Sequence, residues 1–263
     1  MANNTFQLDR FSNVIGRTFK QNKKVGLISI LVFVGVPLLL FLFNLMGLKP
    51  TSIAAREVFF KLIVIYTFIL SPFIYFYSVN HPKKGLNEVM LPASVLEKYL
   101  NMMLFCMIIV PLSAIVLYGA MDSLIALIFP KYFNGFAIGG FMTIFTDLGD
   151  LLMINLILQS VFFFNVLFSS RKILKSIGAF MLIGVATTIL SATVMIIADK
   201  AGTFESLART DITIYNGDRG YFDIHKSDHF LFIYLQLVRI FTTIVVPIGL
   251  MIGSYFILKN KRY

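Results

Sequence analysis

The feature that most constrains this chain is a succession of long apolar runs separated by short polar segments. A helix needs about 20 apolar residues to cross a bilayer. Six runs reach that length, at approximately Val25–Met46, Phe59–Val79, Tyr99–Phe129, Leu148–Phe168, Ile177–Ala198 and Phe230–Leu258. Charged residues make up only 14% of the 263 positions, against about 25% in soluble domains. The sequence therefore predicts an all-α integral membrane protein, with six transmembrane helices forming a single domain over residues 1–263.

The distribution of basic residues predicts the orientation of the spans. Lys and Arg are concentrated before the first run, between the second and third runs, in "SSRKILKS" and in the C-terminal "KNKRY". The segment 199–229 is instead rich in Asp. Since Lys and Arg collect in cytoplasmic loops, both termini are predicted inside and residues 199–229 form an extracytoplasmic loop. The net charge of +10 is explained by this topology, and we expect no nucleic-acid partner.

Residues 1–24 are predicted to form an amphipathic helix along the inner membrane surface. Apolar residues fall close to one helical face and basic residues toward the other. The apolar set includes Phe6, Phe11, Val14, Ile15 and Phe19, and the basic set Arg10, Arg17 and Lys20. A solvated basic lead-in to the first span is the alternative.

Residues 80–98, between the second and third runs, are predicted to form a helical elbow. Within "MLPASVLEKYL" the pattern Ser94-Val95-Leu96-Glu97 fits a capping box, in which the Ser side chain and the Glu side chain each bond the other residue's amide. Pro92 disfavours helix at Leu91, and Pro82 suits the first position of a preceding short helix. The elbow is therefore predicted to be two helical pieces meeting at a corner. A capped turn with no partner is the alternative.

This layout resembles the ABC-2 type permease family, the membrane subunits of bacterial ABC exporters. The phrase "LPASVLEKYL" is similar to a Leu-Pro-x-Ser-x-x-Glu-Lys-[Tyr/Phe] phrase of such permeases, and the topology matches over nearly the full chain. The resemblance implies that the elbow is a coupling helix seated against a separate cytoplasmic ATPase subunit. The implied contact residues are Lys84, Gly85, Leu86, Asn87, Glu88, Val89, Leu91, Pro92, Glu97 and Lys98.

The same resemblance implies how the assembly works and where it resides. The chain contains no Gly-x-x-x-x-Gly-Lys-[Ser/Thr] phosphate loop, so ATP and Mg would be bound by the partner and no cofactor by this chain. A second permease copy is implied, with a homodimer favoured and a heterodimer possible. Together they would transport by alternating access in the bacterial cytoplasmic (inner) membrane. The substrate stays open, and the aromatic, largely uncharged interior favours an amphipathic or lipid-like one.

Polar residues within the apolar runs are the other candidate sites. Asn155 and Gln159 lie four positions apart on one helical face, where they could line a substrate path or hydrogen-bond a neighbouring helix. Asp122 has no partner that the sequence identifies.

His225 and His229 have the spacing of a metal pair, but no supporting motif surrounds them, and we expect no metal site. No catalytic motif is present, so we expect a transporter subunit and not an enzyme.

Two other functions stay open. A non-transporting membrane scaffold or immunity partner is compatible with the same topology. An intramembrane enzyme is less favoured, because the ionisable residues of the runs lie near their ends.

Within the loop 199–229, "DITIYNGDRGYFDI" predicts a small hairpin around Asn216-Gly217. We find no internal repeat.

Overall fold

A computed structural model of the chain describes residues 6–47, 52–79, 93–142, 148–200, 213–215, 221–223 and 237–260. It is almost wholly helical. The helices are α1 Leu8–Gln21, α2 Lys23–Leu45, α3 Ile53–Tyr75, α4 Val95–Leu104, α5 Val110–Ile128, α6 Ala137–Phe141, α7 Leu148–Leu167, α8 Lys172–Lys200 and α9 Val246–Lys259. Two π-helical turns, Phe105–Ile109 and Phe241–Val245, precede α5 and α9.

Several of these helices are long and apolar enough to span a membrane. Within the described residues there are five, Lys23–Leu45, Ile53–Tyr75, Val95–Ile128, Lys172–Val194 and Leu237–Lys259. A shorter apolar helix, Leu151–Leu167, lies at the predicted fourth span. The chain is thus a multi-pass membrane protein. α3 begins at Ile53, six residues before the approximate start of the apolar run at Phe59, so Arg56 lies within the helix.

The predicted hairpin is confirmed at its strands. β1, Thr213–Tyr215, pairs antiparallel with β2, Tyr221–Asp223. Ile214 lies opposite Phe222. The rest of the loop, including Asn216-Gly217, lies outside the described residues.

The chain divides into two compact units, residues 1–173 with 247–263, and residues 174–246. In the second unit, α8 exposes large apolar side chains on all sides, among them Met181 and Leu182, with 69% and 73% of their surfaces exposed. Such a surface is suited to lipid. The predicted single domain over the whole chain stays a prediction.

The first unit is built around α3 and α5. α5 packs against α2 and α3, and α3 also contacts α6 and α7. Near the middle, the ring of Phe60 is stacked between Tyr118 and Phe141, with centroid distances of 4.5 and 4.2 Å. A helix of 23 residues is about 35 Å long, so the two ends of α3 are well separated. We call the end that leads to residues 80–98 the elbow end and the opposite end the far end.

Candidate functional site

The candidate site is formed by two groups of residues that hold the chain on either side of residues 80–92 of the elbow. Residues 80–92, which include the predicted contacts Lys84 to Pro92, lie outside the described residues. The residues that precede and follow them are described. The upstream anchor consists of Val79, Asn165 and Lys172, and the downstream anchor of Gln7, Arg10, Ser94 and Glu97.

The downstream anchor begins with the predicted capping box, which is confirmed. The Ser94 hydroxyl accepts a hydrogen bond from the Glu97 amide at 3.2 Å. In return, Glu97 Oε2 accepts from the Ser94 amide at 2.8 Å. Both amides are at the first turn of α4, where the helix provides no acceptor of its own. The reciprocal bonds therefore fix where α4 begins, three residues after Pro92.

The second carboxylate oxygen of Glu97 bonds to the N-terminal region. Glu97 Oε1 accepts from the backbone amide of Gln7 at 2.9 Å and from Arg10 Nη2 at 3.0 Å. The Glu97 side chain is fully buried, whereas 22% of the Arg10 side chain stays exposed. One carboxylate thus serves both the start of α4 and the start of α1. The bond to Arg10 is charge-assisted, which makes it stronger than a neutral one.

Further contacts along α4 extend this attachment to α1. Asn101 Nδ2 donates to Thr18 Oγ1 at 2.9 Å. The ring centroids of Phe19 and Phe105 lie 4.8 Å apart. Glu97, Asn101 and Phe105 are spaced by four positions, so they share one helical face. α1 is therefore packed along α4 and is not a detached lead-in.

The upstream anchor holds the last described residue before the elbow. Lys172 Nζ donates to the carbonyl oxygen of Val79 and, at 3.1 Å, to Asn165 Oδ1. Asn165 Nδ2 in turn donates to the carbonyl oxygen of Pro72 at 2.8 Å. Lys172 and Asn165 are buried, and burying an ammonium group without such bonds would be costly. The connection from α7 to α8 thus fixes the point at which α3 passes into the elbow.

Local backbone geometry places Lys172 at this position. Arg171, which precedes it, has a φ of 46°, in the left-handed region that non-glycine residues rarely adopt. Arg171 lies in the turn between α7 and Lys172, and Lys172 lies beside Val79. Sequence reasoning missed Lys172 and Asn165 as a pair. Their seven-residue separation falls across a loop, where helical spacing rules do not apply.

The other predicted site residues are distributed as follows. Glu97 is buried and its carboxylate bonds Gln7 and Arg10, and its contact with an ATPase subunit stays a prediction. Lys98 is half-buried. Asn155 is half-buried, and Gln159 is buried with its Nε2 3.9 Å from the sulfur of Met107. Gln159 therefore lies against α4–α5.

A separate buried charge cluster lies at the far end and supplies the partner of Asp122. Arg56 Nη1 donates to Asp122 Oδ1 at 2.9 Å, and both side chains are at most 1% exposed. Arg56 Nη2 also donates to the carbonyl oxygens of Asn134 and Gly135 at 2.7 and 2.8 Å. The guanidinium lies 4.3 Å from the centroid of the Phe133 ring. This far-end cluster ties α3 to α5 and to the reversal that follows α5.

Asp122 also fixes the short helix after that reversal. Its Oδ2 accepts from the Ala137 amide at 3.1 Å, at the N-terminus of α6, where a carboxylate is favourable. Gly135 has a φ of 74° and lies against Ile53. A Cβ added to Gly135 would be only 2.8 Å from the Ile53 side chain. The reversal is therefore closely packed against the first turn of α3.

Comparison with other proteins does not supply a family. No family model, curated protein or solved structure matches the chain. Its function is therefore inferred from the residues and contacts described above.

Proposed function

We propose that this chain is the membrane-spanning permease subunit of an ATP-driven exporter of the ABC-2 type. The observation that carries the proposal is that buried polar groups hold the chain on both sides of residues 80–92 of the elbow. Lys172 bonds the carbonyl oxygen of Val79, and Glu97 joins the start of α4 to Gln7 and Arg10. These bonds connect the two ends of residues 80–92 to α1, α7 and α8.

The two anchors give the elbow a mechanical connection to the helices. A displacement of residues 80–92 is transmitted to α3 through Val79 and to α4 through Ser94. Because Glu97 is bonded to the N-terminal region, α1 moves with α4. Because Lys172 and Asn165 bridge α3 and the α7–α8 connection, that connection moves with α3. Force applied at the elbow thus reaches several helices at once.

In this proposal the force comes from a separate cytoplasmic ATPase subunit that binds ATP and Mg. The chain has six spans, with α7 as the fourth, and both termini in the bacterial cytoplasm. α1 lies at the inner membrane surface, and residues 199–229 lie outside. Two permease copies, preferably identical, move an amphipathic or lipid-like substrate by alternating access. Asn155 stays a candidate for the substrate path, while Gln159 is assigned to helix packing.

The far-end cluster bears on the enzyme alternative. An intramembrane enzyme needs ionisable groups that are available to a substrate. Arg56 and Asp122 instead bond to each other and to backbone groups. They are suited to holding helices together. A non-transporting scaffold or immunity partner is the remaining alternative, and it predicts no ATPase partner.

Copurification tests the proposal. The tagged full-length chain is extracted from its native membranes in mild detergent, and the associated proteins and vanadate-sensitive ATP hydrolysis are measured. We expect a stoichiometric ATPase subunit, lost when Glu88 and Leu91 are both replaced by Ala. Lys131→Ala, an exposed change at the far end, is the control and should retain the subunit. A chain that purifies alone, without ATP hydrolysis, would contradict the proposal and favour a scaffold.

A further inference from the structure

A cluster of basic residues lies where α1 passes into α2. Lys20 is in the last turn of α1, and Lys23 and Lys24 begin α2. All three side chains are exposed. No acidic residue occurs between Arg10 and Lys24, so this stretch of sequence carries a concentrated positive charge. We call Lys20, Lys23 and Lys24 the junction lysines.

The backbone at the junction keeps these three lysines together. Asn22 separates the two helices, with a φ of −99° and a ψ of 15°. Helical hydrogen bonds continue through it, because the Asn22 amide donates to the Thr18 carbonyl oxygen at 3.0 Å and the Gly26 amide to that of Asn22 at 2.8 Å. Residues three and four positions apart are neighbours on the surface of a helix. The junction lysines therefore form one cluster.

The packing of α1 sets the direction in which this cluster faces. Val14 and Thr18 are buried, and the Thr18 hydroxyl accepts a hydrogen bond from Asn101 of α4 at 2.9 Å. Lys20 and Lys24 follow Thr18 by two and six positions, which is about 200° and about 240° around a helix. They therefore lie on the side of the helix that is opposite to α4.

Exposed apolar side chains continue from the cluster along α2. Leu27 and Leu31 lie four and eight positions after Lys23, and they are 53% and 71% exposed. Ile28, four positions after Lys24, is 61% exposed. Because α2 is long and apolar enough to span a membrane, its first residues lie at the level of the headgroups and the following ones among acyl chains. One side of the helix thus offers ammonium groups to headgroups and an apolar surface to the chains attached to them.

From this arrangement we propose that the α1–α2 junction is a binding site for anionic phospholipids of the inner leaflet. Phosphate groups lie at the junction lysines, and acyl chains lie along Leu27, Ile28 and Leu31. A lysine ammonium binds phosphate as a point charge, and basic residues beside a membrane attract anionic lipids. The bound lipids stabilise the junction, which Thr18 bonds to α4. This proposal goes beyond the exporter function and does not depend on an ATPase partner.

Lipid binding to the full-length chain, measured by native mass spectrometry from a neutral detergent, tests the site. Phosphatidylglycerol, which is anionic, and phosphatidylcholine, which has no net charge, are titrated with identical acyl chains. Three lysines that each contribute about fivefold predict a preference of about 100-fold for phosphatidylglycerol. Raising ammonium acetate from about 50 to about 500 mM should reduce that preference, because salt screens exposed charges. Equal affinities, or a preference that salt leaves unchanged, would overturn the proposal.

Replacement of all three junction lysines by Gln locates the site. We expect this variant to bind the two lipids equally, whereas replacement of the same three residues by Arg keeps the charge and should keep the preference. The matched control removes three basic charges at exposed positions elsewhere, Lys131→Gln, Lys200→Gln and Arg239→Gln. It has the same net charge as the junction Gln variant and should keep the preference. An equal loss in both Gln variants would overturn the proposal, because net charge alone would then explain the binding.

Two further outcomes would assign the junction lysines to another ligand. Displacement of phosphatidylglycerol by inorganic phosphate at equal concentration would indicate a site for soluble anions and overturn the proposal. The same spectra count the chains in each complex, and loss of a second copy in the junction Gln variant with an unchanged lipid preference would assign this face to contact between copies. The lipid and salt comparisons on the native chain decide the matter even if a variant does not fold. Absence of an ATPase partner would contradict the exporter function without affecting these results.

Discussion

The two ends of α3 both bury charge, but they do so in different ways. At the elbow end, Glu97 bonds to an arginine that stays 22% exposed, and its partners lie about 90 positions away in sequence. At the far end, Arg56 and Asp122 are both sealed from solvent and hold a reversal between neighbouring helices. The comparison indicates that the buried charge at the elbow end attaches the N-terminal region to the start of α4. The buried pair at the far end holds α3 against α5.

The largest effect is expected when one member of the far-end ion pair, Arg56–Asp122, is removed. Asp122→Ala leaves the Arg56 guanidinium buried without its carboxylate, which costs about 3–5 kcal/mol in comparable buried pairs. We expect a large drop in detergent thermal stability, measured by the fraction of monodisperse protein after heating. Arg239→Ala, at an exposed position, is the control and should change little.

Replacing both members of that pair sharpens the result. The double variant Arg56→Met with Asp122→Leu removes both charges together, and such replacements are often neutral or stabilising. Recovery of most of the stability lost in Asp122→Ala would confirm that the unpaired charge causes the loss. A double variant as unstable as the single one would show that the helix contacts depend on the charges themselves.

The next effect is at the downstream anchor. Glu97→Gln keeps the shape of the side chain but removes its charge, and hydrogen bonds to charged groups contribute about 1.5–3 kcal/mol. We expect α1 to become accessible to protease while the remaining helices stay protected. Arg10→Ala combined with Glu97→Gln should add little to either single change. Full additivity would mean that the two side chains do not act together.

A similar but more local effect is expected at the upstream anchor. Lys172→Met fills the same space but leaves the Val79 carbonyl and Asn165 without their buried donor, at a cost of about 1–3 kcal/mol. Limited proteolysis within residues 80–92 should accelerate. Lys200→Met, at an exposed position at the other end of the same helix, is the control, and an equal acceleration there would contradict the assignment.

The smallest effect concerns the capping box. Ser94→Ala removes one of the two reciprocal bonds, and loss of such a cap costs about 1 kcal/mol. The expected result is a small decrease in thermal stability with α1 still protected, because Glu97 Oε1 keeps its bonds to Gln7 and Arg10. Release of α1 in this variant would show that the cap, and not the ion pair, holds the N-terminal helix.

Local patterns predicted the elements that depend on neighbouring residues. The Ser94–Glu97 capping box and the strands of the hairpin follow from spacing over a few positions, and the apolar runs follow from composition. Glu97 also forms an ion pair with Arg10, 87 positions away in the sequence, and no local pattern encodes that contact. The pairing of Arg56 with Asp122 joins residues 66 positions apart, and no local pattern indicates it. The two π turns were missed because the apolar pattern of a span continues through them.

The central claim, that the elbow end receives an ATPase subunit, is tested most directly by site-specific photo-crosslinking in native membranes. A photoreactive residue is placed at Leu86 or Leu91 in the elbow and, for comparison, at Phe136, which is 47% exposed near the far-end cluster. The account predicts an adduct with an ATP-hydrolysing protein from the elbow positions and none from Phe136. No such adduct from the elbow, or the same adduct from both ends, would contradict it.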